Sequence, residues 1–237
     1  MKKEALNIWE HAQGLLELVY ARGLDQVPEM DAAAQGAELL APFIGQPVFG
    51  GDPENQLVLT RPRLLDVGCG GAHFYHSLKK RGLLVDYFGL DSSHKMVGRA
   101  RKAFEVLGLD PQRILLGAVE DLWERRFELA VVINVLTFCP DFREPLDRLV
   151  DAGVKALVIR DNFGPTTTIR WEPDGYLDEG FNHLKGYWNQ WGKDEVSLFF
   201  QSRGFRTEFV LDRRTQGQVE MVVDKPYHWS WLVASRL

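Results

Sequence analysis

Cysteine is scarce in this sequence: Cys69 and Cys139 are the only two in 237 residues. Two thiols do not make a disulfide framework, and they fit a reducing compartment. Long hydrophobic runs are missing too. No stretch approaches the roughly 20 apolar residues of a membrane-crossing helix, and Met1-Lys2-Lys3-Glu4 is not followed by the apolar core of a signal peptide. A cytoplasmic protein with no membrane partner is expected. Positive charge is not in surplus, since 28 Lys and Arg face 33 Asp and Glu for a net charge of −5. The chain as a whole therefore lacks a basic footprint for nucleic acid. Internal repeats and low-complexity tracts are absent as well. What is present is a hydrophobic content of 45%, enough for an ordinary globular core, in a length that suits one domain with room for a lid.

The most informative stretch is Leu64-Leu65-Asp66-Val67-Gly68-Cys69-Gly70-Gly71-Ala72. An apolar run ends near an acid, breaks into glycines and enters a helical pattern. This spacing predicts a buried strand delivering a glycine loop to a helix N-terminus, where a ligand can touch bare backbone. A dinucleotide site of the form G-x-G-x-x-G would use Gly68 and Gly70 and then need a glycine at position 73. His73 stands there and speaks against a nicotinamide cofactor. A second apolar run, 84–91, ends at Asp91, 21 residues beyond Gly70. That is the separation of one βαβ step, and it puts a carboxylate at a strand tip, where it can accept from both hydroxyls of a ribose. The lesser alternative is that Asp91 merely caps the helix that starts near Ser93.

These two motifs resemble those of the class I S-adenosylmethionine-dependent methyltransferases, over about residues 63–160. The first matches the family's acid two residues before a glycine loop, with Ala72 where a third glycine often stands. The second, Asp91-Ser92-Ser93-His94-Lys95-Met96, resembles its G-x-D-x-S-x-x-M signature. The resemblance implies S-adenosyl-L-methionine as cofactor, held by Asp66, Gly68, Cys69, Gly70, Asp91, Ser92 and Met96, with Met96 near the adenine face. It also implies an adenine-side turn at Gly117-Ala118-Val119-Glu120-Asp121. The usual acid after the glycine is replaced there by Ala118, so Val119 and Glu120 become the candidate contacts. Asn134, at the tip of the fourth strand, joins the cofactor set.

The rest of the core alternates: strand 63–67, helix 73–82, strand 84–90, helix 94–107, strand 113–116, strand 127–134, helix 143–152 and strand 154–160. Continuous apolar strands such as Leu129-Ala130-Val131-Val132-Ile133 predict burial on both faces and so a parallel sheet. The expected fold is a Rossmann-like, doubly wound α/β sheet of seven strands with the last strand antiparallel. One domain is expected over 1–237: a helical lid and linker to 61, the cofactor-binding core over 62–162, an aromatic-rich insertion over 163–192, then a closing helix and strands.

The acceptor is expected to be a small molecule, with methyl transfer in line and at oxygen. The stretch after the fourth strand, Asn134-Val135-Leu136-Thr137, lacks the Asn/Asp-Pro-Pro-Tyr/Phe that the resemblance associates with amino methylation. Tyr20 on a leading helix, and Asn162, Trp171, Tyr187 and Trp188 on or near the insertion, are candidate acceptor contacts. Asp161, directly after the fifth strand, and His183 are the candidate bases, with His228 a further one. Asp161-Asn162 also resembles the pair that magnesium-dependent catechol-type enzymes place here. Their further aspartate is replaced by Asn134, an amide, so no metal is expected. Oligomeric state is left open.

Overall fold

The computed structural model describes residues 29–45, 61–121, 126–174, 177–222 and 224–236. The leading helix expected over 4–22, with Tyr20, and most of the linker fall outside these residues.

The first described helix is α1 (Asp31–Leu40). The core then follows as β1 (Arg63–Val67), α2 (His73–Lys80), β2 (Asp86–Asp91), α3 (His94–Val106), β3 (Ile114–Leu116), β4 (Leu129–Ile133), α4 (Arg143–Asp151) and β5 (Ala156–Gly164). Two small strands, β6 (Trp171–Pro173) and β7 (Lys185–Tyr187), pair with each other as a hairpin. They are followed by β8 (Trp191–Gly192), α5 (Lys193–Gln201), β9 (Phe205–Leu211), the short pair β10 (Glu220–Val222) and β11 (Lys225–Tyr227), and finally β12 (Trp229–Arg236).

The main sheet runs β3-β2-β1-β4-β5-β12-β9. Strands β1 to β5 are parallel, and β12 is antiparallel to both of its neighbours. An eighth, two-residue strand, β8, pairs with the end of β5, which the expectation of seven strands did not include. Side chains alternate between two apolar layers. Leu65, Ala130, Val132, Leu157 and Ile159 pack with Leu146 and Leu149 of α4 and Phe199 and Phe200 of α5. Leu64, Leu129, Val131, Ala156 and Val158 pack with α1, α2 and α3 on the other face. Helices on both faces make the sheet doubly wound.

Small residues let α1 lie close to this second face. A Cβ on Gly36 would fall 2.7 Å from the Trp231 ring. Gln35 pins the helix with both ends of its amide: Nε2 donates to Leu211 O and Oε1 accepts from Arg213 N, each at 2.7 Å.

Element ends differ from the sequence expectation for local reasons. Helix α2 stops at Lys80 because Gly82 takes φ +63° and its N–H turns back to Lys79 O. Strand β4 stops at Ile133 because Asn134 adopts φ +58°. Strand β5 runs on to Gly164 instead of ending at 160, because the antiparallel β12 pairs with it as far as Asn162. This last difference matters most, since it places Asp161 and Asn162 inside a buried strand.

Candidate functional site

The sheet order reverses direction between β1 and β4, and a crevice opens at the carboxyl ends of these strands. After Val67 the chain turns sharply. The N–H groups of Gly68 and Cys69 both point to Leu90 O, at 2.8 and 3.1 Å, which locks the loop to the end of β2. Gly68 has φ +68°, and a Cβ there would stand 2.4 Å from Val135 Cγ2, so the turn requires glycine. Gly70 donates its N–H to Asp91 Oδ2 at 2.9 Å, while Ser93 N–H donates to Asp91 Oδ1 at the same distance. The Ser93 hydroxyl caps α3 through Met96 N–H. Ala72 takes φ +61°, the left-handed conformation that glycine holds at lower cost.

Below the loop, Asp66 is buried and accepts from the Tyr87 hydroxyl at 2.5 Å. Burial raises its carboxyl to about 7, helped by the nearby charge of Asp91, although the Tyr87 bond pulls the other way. At the start of α2, burial lowers the His73 imidazole to about 4, with smaller contributions from His76 and Arg99.

These groups face a cavity of about 610 Å³. Its floor is the glycine loop and the tips of β1, β2 and β4. Gly117, Ala118 and Val119 close one side, and Leu136, Phe138, Pro140 and Pro145 another. Met30, Ala32 and Ala33, at the start of α1, contribute from one side of the opening. Trp171 and Tyr187 on the β6–β7 hairpin also contribute to the lining. These two are direct cross-strand partners with ring centroids 4.6 Å apart. Among the described residues the lining includes two carboxylates, Asp66 and Asp91, and neither lysine nor arginine.

The expected cofactor residues Asp66, Gly68, Cys69, Gly70, Asp91, Ser92, Met96, Val119 and Asn134 all lie on this lining. Glu120 belongs to the short helical turn Val119–Asp121, but its side chain is outside the described residues. In that turn the Ala118 N–H is taken by Asp121 Oδ2 at 2.9 Å. Of the expected acceptor residues, Trp171 and Tyr187 reach the cavity.

The other expected acceptor and catalytic positions are corrected. Trp188 is buried against Tyr227 and Trp229, behind the hairpin. Asn162 is buried in β5, where its amide bonds Asn189 O and His228 N. Asp161 is fully buried away from the cavity. One oxygen accepts from Leu136 N at 2.8 Å; the other accepts from Thr137 N at 3.0 Å, from the Thr137 hydroxyl and from Asn162 N at 2.8 Å. It fastens the short helical turn Leu136–Phe138 to β5, and its oxygens do not reach the crevice or a metal there. His183 lies exposed on the insertion, and His228 sits at the start of β12, neither on the lining. Among the described residues no cluster of three His, Cys, Asp or Glu is placed to hold a metal ion, and no helix is long and apolar enough to cross a membrane.

The lining roles of His73, Phe138 and Cys139 go beyond what sequence reasoning found. In sequence His73 reads only as the residue that displaces a glycine. Phe138-Cys139-Pro140 carries a usable signal, a small apolar cluster just beyond the fourth strand.

A family model described as a methyltransferase domain matches residues 65–152, from β1 to the turn after α4, and so spans the glycine loop, Asp91 and Asn134. Over these residues the chain carries a methyltransferase domain, of the class I S-adenosylmethionine-dependent type. S-adenosylmethionine is the cofactor of that family. The methyltransferase is 29% identical over 149 residues to a ubiquinone biosynthesis O-methyltransferase of Sinorhizobium medicae, a match covering 54% of this chain and 56% of that protein. It is 26% identical over 147 residues to the protein of the same name from Sinorhizobium fredii, with the same coverage. The matches thus span little more than half the length of these relatives. In fold it is similar to magnesium protoporphyrin IX methyltransferase from Synechocystis, solved with bound S-adenosylmethionine, at a TM-score of 0.59 and 18% identity over 100% of both chains. A methyltransferase from Clostridium acetobutylicum is also similar, with a TM-score of 0.56 and 13% identity over 97% of this chain and 99% of that one.

Proposed function

We propose that this methyltransferase transfers the methyl group of S-adenosylmethionine to a small-molecule acceptor, at oxygen, in the cytoplasm. The observation that carries the reading is the charge of the cavity: Asp66 and Asp91 on its lining and no basic side chain among the described residues there. An anionic pyrophosphate would want the reverse, whereas a cationic sulfonium fits a lining whose acids, Asp91 and Asp66, meet no basic side chain.

The residues present suit the cofactor. Asp91 accepts one backbone N–H on each oxygen and lines the cavity at the tip of β2, where a carboxylate can accept from ribose hydroxyls. Met96 and Val119 provide soft apolar surface for a purine, and Gly68 and Gly70 expose backbone beside them. When bound, S-adenosylmethionine supplies a methyl group on a positively charged sulfur, an electrophile that needs no acid to activate it. The protein's part is then alignment and exclusion of water, which the Trp171–Tyr187 hairpin and the start of α1 are placed to provide. A largely apolar cavity supports a small acceptor, and the ubiquinone-biosynthesis relatives support oxygen as its methylated atom.

Calorimetric titration with S-adenosylhomocysteine, followed by product detection on a panel of hydroxyl, amine and thiol acceptors, tests the reading. Saturable binding that Asp91→Ala weakens, with methylated hydroxyls as products, is the expected result. Tight cofactor binding with no methylated product from any acceptor would instead make the protein a cofactor-binding module.

A further inference from the structure

Asn134 is held in one orientation by a buried cation. Its Oδ1 accepts from Arg160 Nη1 at 2.6 Å. Arg160 is itself fully engaged: Nε pairs with Asp212 at 2.6 Å, and the guanidinium lies 4.1 Å from the Trp229 ring. Its side chain is 3% exposed. Because a guanidinium can only donate, the amide oxygen must be the atom that faces it. The Asn134 Nδ2 is then the end presented to the cavity, and it donates to no described residue. The backbone adds to this, since Asn134 N–H is bonded to Arg160 O at 2.8 Å and the residue sits at φ +58°. The cavity therefore receives a fixed, cation-backed donor at the tip of β4.

Such a donor selects what it meets. It favours an oxygen carrying negative charge over an ammonium. An amine gains little from it, because the amide oxygen that would accept an N–H is already occupied by Arg160.

Apart from Asp66, whose carboxyl lies at about 7 but is buried beneath the glycine loop and engaged by Tyr87, the other titratable groups on the lining are poorly suited to remove a proton from the acceptor. Asp91 is bound by Gly70 and Ser93, and Asp66 by Tyr87. Burial drives the Cys69 thiol upward and leaves His73 a weak base. Cys139 donates to Val135 O, and Tyr187 brings a hydroxyl of its own.

We propose that the acceptor is an acidic hydroxyl of the phenol or enol class, bound and methylated as its anion, with the Asn134 amide as the donor to that oxygen and Arg160 as the positioning residue. The inference rests on the methyl-transfer reading above. The hydroxyl proton leaves to water as the acceptor binds. The new O–C bond then forms as the C–S bond breaks, and the electron pair stays on sulfur as a neutral thioether.

The test uses 4-nitrophenol, whose ionisation is visible by absorbance, on protein saturated with S-adenosylhomocysteine. The bound probe is expected to ionise about one pH unit, or ten-fold, more readily than in free solution, the scale of one hydrogen bond to a charged oxygen. Asn134→Gly keeps the left-handed backbone and removes the amide; it should abolish the displacement. Asn134→Asp also tolerates that backbone and should reverse it. Arg160→Lys should lessen the displacement. A bound probe that ionises no more readily than the free one overturns the proposal, as does failure of the probe to bind the loaded protein. An unchanged displacement in Asn134→Gly overturns it too. Ten-fold weaker S-adenosylhomocysteine binding in that variant would assign the amide to the cofactor and also overturn it. Failure of S-adenosylhomocysteine to bind the unaltered protein would instead remove the proposed function, and this inference with it.

Discussion

Gly70 gives its backbone N–H to the Asp91 carboxylate at 2.9 Å, across 21 residues of chain. The contact joins the glycine loop to the tip of β2, so one carboxylate shapes the loop and also faces the cavity. Asp91→Ala should remove both roles. Hydrogen bonds to a charged group contribute about 1.5–3 kcal/mol each, so affinity for S-adenosylhomocysteine should fall at least about 100-fold by calorimetry. Asp91→Asn should bind better than the alanine variant yet worse than the unaltered protein, because its NH₂ end must confront one of the two backbone donors.

Asp161 should matter for stability and not for proton transfer. Asp161→Ala strands the buried N–H groups of Leu136 and Thr137, at about 1–3 kcal/mol each. Denaturant unfolding should show a loss of about 3 kcal/mol or more, while turnover per folded molecule at low temperature stays within about ten-fold. A loss in the 10²–10⁴-fold range typical of a general base, with stability intact, would contradict the structural role.

Asp66 and His73 should give opposite slopes to stability against pH. The Asp66 carboxyl is raised from 3.8 to about 7 in the folded protein. Its contribution is therefore fully present below about pH 4 and is lost as pH rises through 7. At about 1.4 kcal/mol for each pH unit between the unfolded and folded values, this amounts to a few kcal/mol. The His73 imidazole is lowered from 6.5 to about 4, so its contribution is present above pH 6.5 and is lost as pH falls towards 4. Melting temperatures between pH 4 and 8 should show Asp66→Asn gaining stability relative to the unaltered protein as pH rises. His73→Gln should lose the penalty that the unaltered protein suffers at the acid end.

Trp171 should act on the acceptor and leave the cofactor alone. It reaches the cavity from a hairpin and packs at a tilt against Tyr187, distant in sequence from the glycine loop. Truncation of a half-buried aromatic ring removes at most several kcal/mol of contact. Trp171→Ala should raise the acceptor KM by about ten-fold or more, with S-adenosylhomocysteine affinity unchanged. A fall in cofactor affinity of the same size would place the ring over the cofactor.

The core strands and helices were legible because their signals are short-range. Leu64-Leu65 followed by glycines reads as a strand entering a loop, and the spacing to Asp91 is set by the length of one βαβ step. The end of β5 was not legible. Arg160-Asp161-Asn162 looks like a polar exit from an apolar strand, yet β12, some 70 residues later, pairs across it and buries all three. The aromatic insertion showed its composition but not its arrangement. Trp171 and Trp188 look alike in sequence, and hairpin register alone sends the first to the cavity and the second behind it.

The sequence by itself determined the family, the cofactor and the position of the glycine loop relative to Asp91, because these depend on spacing within one stretch of about thirty residues. Only the tertiary structure decided which polar groups face the cavity. Asp161 was turned inward by four hydrogen bonds, three of them from Leu136 and Thr137 some 25 residues earlier. Asn134 was turned outward, amide first, by an arginine 26 residues away that is itself held by Asp212. A side chain's direction is set by whichever partners satisfy it once water is excluded, and those partners lie far away along the chain.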